Sequence, residues 1–176
     1  MHNRLFARSV LLLLLLFVQG TRLALAEDIY QSPDAFLTDV FDEPIPAPVV
    51  VWLTGKRGKQ VEEILGHQPE SLRTRYWSDG ERTVWILHEV GKERPITAGI
   101  VIGPDGIDRL RILVYRENRG AEVRFPFFTQ QFKGASLAPG MMLDRKIDNI
   151  TGATLSVAAI RRISRLALFL HQEVTR

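Results

Sequence analysis

The 176-residue chain contains no cysteine. Without thiols it forms no disulfide, attaches no c-type haem and ligates no iron–sulfur cluster through sulfur. Histidine is also scarce, and His67, His88 and His171 have no second histidine or acid at a metal-ligand spacing. We therefore assign no metal site.

Motifs of the common enzyme classes are missing as well. The sequence has no nucleophile elbow, no P-loop and no Rossmann fingerprint. It also shows no catalytic base or nucleophile for a reaction on a bound substrate. We therefore name no catalytic residue.

The first 26 residues are typical of a secretory signal peptide. Arg4 and Arg8 precede a short apolar run from Val10 to Val18, and a small-x-small cleavage site follows at 24–26. The run is far shorter than the about 20 residues that span a bilayer, although an uncleaved anchor remains the alternative. Because no twin-arginine pair is present, we expect export by the general secretory route to the periplasm.

Removal of this segment changes the charge balance. The whole chain has 23 basic and 20 acidic side chains, a net charge of +3. Arg4, Arg8 and Arg22 leave with residues 1–26 and no acid does, so residues 27–176 carry no net charge. Such a chain has no general attraction to nucleic acid. Its length is that of one domain.

The middle of the chain predicts an antiparallel meander of about four strands. An Asp-Gly pair at 79–80 separates two β-rich runs, which is a hairpin signal. The predicted strands are 49–53 before the meander and, within it, 73–77, 82–89, 95–102 and 107–115. Short helices are expected at 34–41 and, after a turn at 55–58, at 59–65.

A long amphipathic helix is predicted from Leu155 to Glu173. An apolar stripe at three- and four-residue steps predicts its buried face; its members are Leu155, Ala159, Ile163, Leu166 and Leu170. The arginines at 161, 162 and 165 form either a solvated face or a docking surface for an acidic partner. The expected fold is α+β, an antiparallel sheet with flanking helices and this helix packed on it.

The most informative segment, DNITGAT at 148–154, lies directly before this helix. The first amides of a helix lack partners and carry partial positive charge, so they favour a phosphate. Thr154 places a hydroxyl within that site, where it can bind a phosphate or become esterified to it. The alternative is an ordinary cap, in which Thr151 or Thr154 accepts from the helix amides and Gly152 makes a turn.

This segment resembles the D-x-x-[S/T]-G-A-[T/S] motif of FMN-binding domains. The flavin subunits of the sodium-pumping NADH:quinone reductase and of the ion-translocating ferredoxin:NAD reductase belong to that family. A Glu-x-x-Gly stretch at Glu117 to Gly120 and a later Phe-x-Gly at 132–134 are similar to segments that precede the family motif. The similarity covers roughly residues 80 to 172.

The resemblance implies FMN joined covalently through its phosphate to Thr154. It also implies that a flavin transferase attaches the cofactor, with FAD as donor and a magnesium ion. The implied cofactor-binding residues are Thr154, Asp148, Thr151, Gly152, Ala153, Glu117 and Gly120. The membrane-bound relatives have a genuine anchor, whereas we expect a cleaved signal peptide here, so this chain departs from them and we do not expect it to be a stable subunit of a membrane pump.

A short helix is expected at 125–132, with Pro126 in its first turn. Its four phenylalanines form either an apolar plug on the sheet or, at one position, a flank of the flavin ring. Both interpretations stay open on sequence alone.

The resulting functional hypothesis is an exported electron-transfer flavoprotein that passes electrons between redox partners. A membrane reductase is one candidate partner. A carrier, or a subunit of an oxidoreductase, is favoured over a complete enzyme because no group for substrate chemistry is recognised. The alternatives are an exported binding or scaffold domain without flavin, and a complete flavin-dependent reductase with its own substrate.

Overall fold

The computed structural model describes residues 27–176, so the predicted signal peptide lies outside the described part. Its centre is a six-stranded antiparallel sheet in the order β1-β6-β5-β4-β3-β2. The strands are β1 (Asp28–Ile29), β2 (Val49–Trp52), β3 (Arg73–Ser78), β4 (Thr83–Val90), β5 (Pro95–Gly103) and β6 (Gly106–Tyr115). Two short strands, β7 (Leu137–Ala138) and β8 (Met142–Leu143), pair separately.

Strands β3 to β6 are the predicted four-stranded meander, with each strand paired to the next in the chain. Asp79 fixes the first hairpin because its Oδ1 accepts from the amides of Glu81 and Arg82. Gly80, at φ 96°, supplies the left-handed backbone that this turn requires. Strand β2 pairs with β3, and β1 with β6, which widens the sheet beyond the meander.

The helices are α1 (Pro33–Phe41), α2 (Gly55–Leu65), α3 (Pro126–Thr129) and α4 (Thr154–Val174). The turn expected at 55–58 is wrong, because these residues form the first turn of α2 and the Gly58 amide donates to the Thr54 carbonyl at 3.2 Å. The two glycines there resembled a turn, but a helix start tolerates glycine. Short 3₁₀ turns occur at Ala121–Arg124, Gln130–Phe132 and Pro139–Met141.

Apolar side chains cover both faces of the sheet. Helices α2 and α4 pack on one face, over residues such as Trp85 and Ile100. Helix α1 packs on the other, where Phe36 lies against Gly99. A Cβ built at Gly99 would lie 2.4 Å from the Phe36 ring, so only glycine permits this contact.

The predicted α+β fold is confirmed, with α4 packed on the sheet, but one member of its stripe is wrong. Ala159, Ile163, Leu166 and Leu170 are buried, whereas Leu155 is 51% exposed. Leu155 belongs to the first turn, whose buried side is formed by Ser156 and Val157 instead. Among residues 27–176, no helix is long and apolar enough to span a membrane.

The three arginines of α4 do not form a freely solvated face. Arg161 donates to the Ile147 carbonyl, and Arg165 donates to the Met141 carbonyl. Arg162 donates to the buried carboxylate of Glu89 through Nε at 3.1 Å and Nη2 at 2.9 Å. Each guanidinium is held within the protein, so the expectation of a solvated arginine face is wrong.

Candidate functional site

The loop before α4 turns sharply at Gly152. The Ala153 amide donates to the Ile150 carbonyl at 2.9 Å, and Gly152 adopts φ 84°. A Cβ built at Gly152 meets no atom within 4 Å, so the backbone conformation, and not crowding, favours glycine here. The long C-terminal helix α4 begins directly after this turn.

Helix α4 begins at Thr154 without a side-chain cap. Its first backbone bond runs from the Val157 amide to the Ala153 carbonyl at 2.9 Å. The amides of Thr154, Leu155 and Ser156 precede that bond and therefore have no partner within the helix. The cap interpretation of Thr151 and Thr154 is wrong, because Ala153 occupies the N-cap position.

The side chain of Thr154 is exposed at this helix start. Its Oγ1 accepts a hydrogen bond from Nδ2 of Asn149 at 3.0 Å. The hydroxyl therefore keeps its own proton available and has a defined position. It is accessible to a large reactant from outside the protein.

A cavity of about 390 Å³ opens beside Thr154. Three segments form its walls: the turn at 92–93, the stretch 117–119 and the helix start at 152–156. Its volume lies in the about 300–1,000 Å³ range of ligand sites. Four of the predicted residues line it together: Glu117, Gly152, Ala153 and Thr154.

Glu117 shapes one wall of this cavity. Its Oε1 accepts from the backbone amides of Lys92, Glu93 and Arg94, the last two at 2.7 and 3.0 Å. Burial raises the pKa of Glu117, but the three amide hydrogen bonds outweigh it and the pKa is lowered overall. The carboxylate thus holds the turn between β4 and β5 in place.

Gly120 lies where the loop after β6 packs against α4. At φ 91°, an added Cβ would come within 2.8 Å of the Tyr115 hydroxyl and 2.9 Å of Ser156 Oγ. The same hydroxyl donates to the Arg119 carbonyl and lies 2.9 Å from Ser156 Oγ. Burial raises the pKa of Tyr115, so this bridge between loop and helix stays neutral. The predicted Glu-x-x-Gly stretch is therefore structural support for the cavity.

Asp148 and Thr151 lie outside the cavity. Both are exposed, and the Asp148 amide donates to Oε1 of Gln131 at 2.7 Å. The Asp148 carboxylate is 3.9 Å from the Lys146 ammonium, at the surface. These two motif residues are placed where another protein can contact them.

The four phenylalanines at 125–132 differ in burial. Phe128 and Phe132 are fully buried against the sheet and form the expected plug. Phe125 and Phe127 are 42% and 60% exposed and stack on each other with ring centres 6.3 Å apart. Gln131 also donates to the Phe127 carbonyl at 3.3 Å, which couples this segment to the loop that carries Asp148.

Sequence reasoning missed several lining residues: Lys92, Glu93, Asn118, Arg119, Leu155 and Ser156. Lys92 and Glu93 lie about 60 residues before the motif, and no spacing rule connects a hairpin turn to a distant helix start. None of the three histidines within residues 27–176 lines this cavity. His67 lies 2.9 Å from Glu89, and His171 lies 2.8 Å from Thr83. The described part of the chain contains no group of three side chains able to hold a metal ion.

A larger cavity, of about 650 Å³, lies at the other end of α4. Phe169, Glu173 and Arg176 line it together with Arg57 of α2. Arg57 is already paired with Glu173 at 3.3 Å and with the Trp52 carbonyl. Although larger, this cavity has no hydroxyl side chain among its lining residues, so we place the candidate site at Thr154.

Comparison with known proteins adds no further constraint. No family model matches the chain, and neither a curated protein nor a solved structure matches it. The resemblance to FMN-binding domains therefore rests on the motif residues alone.

Proposed function

We propose that this protein is an exported electron-transfer flavoprotein that carries FMN as a phosphoester on Thr154 and passes electrons between redox partners. The observation that carries the proposal is the exposed Thr154 hydroxyl at an uncapped helix start beside a ligand-sized cavity. The motif resemblance names the cofactor, and the geometry offers a place for its phosphate.

The residues around Thr154 fit a phosphate. Three helix amides lack partners within the helix, and the helix dipole adds positive charge at this end. Arg119 lines the same cavity and contributes a cationic side chain, whereas the Lys92 ammonium is paired with Glu93 at 3.1 Å. An anion esterified to Thr154 would be stabilised by these groups, whereas an uncharged ligand would gain little from them.

The same cavity also offers apolar surface. Leu155 is half exposed beside Thr154 although the helical stripe predicts it to be buried. A flavin ring needs one apolar contact face and a few polar groups at its rim. Leu155 supplies the first, and Asn118 and Glu93 supply polar groups nearby.

Bound flavin supplies one- and two-electron redox chemistry, while the protein holds and orients the ring. A covalent link suits an exported protein because a dissociable cofactor would be lost from the compartment. The exposure of Asp148 and Thr151 supports recognition by a flavin transferase, which must contact the motif from outside.

The decisive test is the intact mass of protein made together with an active flavin transferase. Wild type should gain the mass of FMN less one water, and the flavin should stay on the Thr154 peptide after denaturation. Thr154→Val should lose this mass completely without loss of stability. Thr175→Val alters an exposed threonine at the other end of α4 and should load normally. Wild-type protein without flavin mass would contradict the proposal and favour the flavin-free scaffold.

A second test addresses recognition of the motif. Asp148→Ala removes an exposed carboxylate, and Gly152→Val forces a branched residue into left-handed backbone, which only glycine adopts at low cost. Both variants should fold and show reduced flavin absorbance per mole of protein. Normal loading of both would show that the transferase does not read these positions.

A third test separates carrier from enzyme. Flavin-loaded protein should accept electrons from a membrane reductase and pass them to an acceptor protein. Sustained turnover with a soluble donor and acceptor, without any partner protein, would instead favour the complete reductase.

A further inference from the structure

The Thr154 hydroxyl has a specific neighbour that the motif does not include. Asn149, an exposed residue five positions earlier, donates from Nδ2 to Thr154 Oγ1 at 3.0 Å. The turn at Gly152 folds the loop back so that the two side chains meet. It is the one hydrogen bond that the structure gives this hydroxyl within residues 27–176.

We propose that Asn149 is the positioning residue for flavin attachment, an inference that rests on the function proposed above. Its amide holds Thr154 Oγ1 as an acceptor, so the hydroxyl proton remains free to leave. In the attachment step the Oγ1–P bond forms and the P–O bond between the FMN and AMP halves of FAD breaks. AMP departs with the bridging oxygen, and the hydroxyl proton passes to a base of the transferase or to water.

The physical need for such a residue follows from the exposure of Thr154. An unrestrained side chain on the surface samples its staggered rotamers, and only some of them point Oγ1 at an incoming phosphorus. A hydrogen bond from Asn149 selects one orientation before the reactants meet. This hydrogen bond orients the Thr154 hydroxyl and does not itself contact the transferase. It should therefore affect the rate of flavin transfer more than the affinity of the transferase for this protein.

Three substitutions at Asn149 test whether the N–H donor of its side chain is required. Asn149→Asp keeps the shape and removes the donor, and it adds a negative charge next to the arriving phosphate. Asn149→Ala removes the group, and Asn149→Gln retains a donor on a longer chain. Thr175→Val is the control, since Thr175 is exposed at the other end of α4 and its hydroxyl donates to the His171 carbonyl, away from Thr154.

The measurement is the kcat and KM of the transferase for each unmodified protein, with FAD and magnesium, followed by mass. Asn149→Ala should lower kcat about 3- to 10-fold, the rate equivalent of one net hydrogen bond, with KM little changed. Asn149→Asp should be at least as slow, Asn149→Gln should recover part of the rate, and Thr175→Val should match wild type. Equal kcat in all four variants, or a change confined to KM, would overturn the proposal.

A spectroscopic readout tests the contact without the transferase. The Asn149 side-chain amide resonances of unmodified protein should shift in Thr154→Val and stay in place in Thr175→Val. Unshifted resonances in Thr154→Val would overturn the proposed contact. Wild type that takes up no FMN would overturn the function and this inference together. Normal kinetics of the Asn149 variants, with wild type loading fully, would overturn this inference alone.

Discussion

Polar side chains in the body of α4 have hydrogen-bond partners within the protein, whereas the first turn of the same helix leaves some polar groups exposed. Along the body of the helix, Arg162 pairs with buried Glu89, and Ser164 donates to the Ile160 carbonyl at 2.8 Å. At the first turn, the amides have no side-chain cap and the Thr154 hydroxyl faces outward. Apolar residues follow the same division, since Leu170 is buried and Leu155 is half exposed.

This difference separates polar groups that stabilise the fold from polar groups that remain open to solvent or to a ligand. A buried polar group without a partner is costly. Most side-chain polar groups along the body of the helix are therefore bonded within the protein, and Nε of Arg161 is the exception among residues 27–176. In the first turn, Ser156 is buried and bonded to the Tyr115 hydroxyl at 2.9 Å, but the Thr154 hydroxyl and the first helix amides are left to water or to a ligand. Substitutions in the body should therefore change stability and leave flavin loading alone, and those at the exposed residues Thr154 and Leu155 of the first turn should do the reverse.

The largest contrast is expected between two leucines of the helix. Leu170→Ala should lower the free energy of unfolding by about 3 kcal/mol, because Leu170 is fully buried and its removal leaves a cavity. Leu155→Ala should change it by less than about 0.5 kcal/mol, since half of that side chain is already in solvent. Urea unfolding of both variants measures the difference. Equal losses would show that the first turn belongs to the core.

The next prediction concerns the buried ion pair of the helix body. Glu89→Ala should destabilise the protein by about 2 kcal/mol, because it leaves the part-buried Arg162 and the neighbouring His67 without their acceptor. The fraction of folded protein that takes up flavin should not change. Denaturant unfolding and intact mass give the two values. Reduced loading of folded protein would indicate that the helix body also shapes the site.

The sequence predicted the meander, the long final helix and the motif at its start, because each has a local signal. Alternating apolar runs with an Asp-Gly turn specify a hairpin, and an apolar stripe specifies one buried helix face. The burial of Ile163 and Leu166 follows directly from that stripe. The error at Leu155 arose because periodicity does not locate the edge of the buried face, and the adjacent Ser156 and Val157 are buried instead.

The cavity itself was outside the reach of sequence reasoning. Its walls join the turn at Lys92, the loop at Arg119 and the start of α4, which are distant in the chain. Glu117 was identified through the resemblance, but its three hydrogen bonds to the turn depend on the register of β4 with β5. The pairing of Arg162 with Glu89 likewise depends on how the helix lies across the sheet.

A smaller effect is expected where Glu117 holds the cavity wall. Because its pKa is lowered in the folded protein, ionised Glu117 stabilises the fold above its ordinary pKa of 4.5, and this contribution is lost as the pH falls through the folded-state value. Glu117→Gln should cost about 1 kcal/mol at pH 7, and the gap to wild type should narrow below pH 4.5. Urea unfolding across this range tests it. A gap that widens in acid would contradict the assigned role.

The smallest effect on stability is expected at Thr151, where the sequence alone left a capping role open. A true cap loses about 1 kcal/mol when its hydroxyl is removed. Ser32 is such a cap, since its Oγ accepts from the Ala35 amide at 3.1 Å at the start of α1, and Ser32→Ala should show that loss. Thr151→Val should stay within about 0.5 kcal/mol of wild type, because Thr151 is exposed and does not cap α4. The same variant should still lower flavin loading in part, as a change in the recognised motif. A loss at Thr151 equal to that at Ser32 would mean that the first turn of α4 is capped in solution, and its amides would then be less free to receive a phosphate.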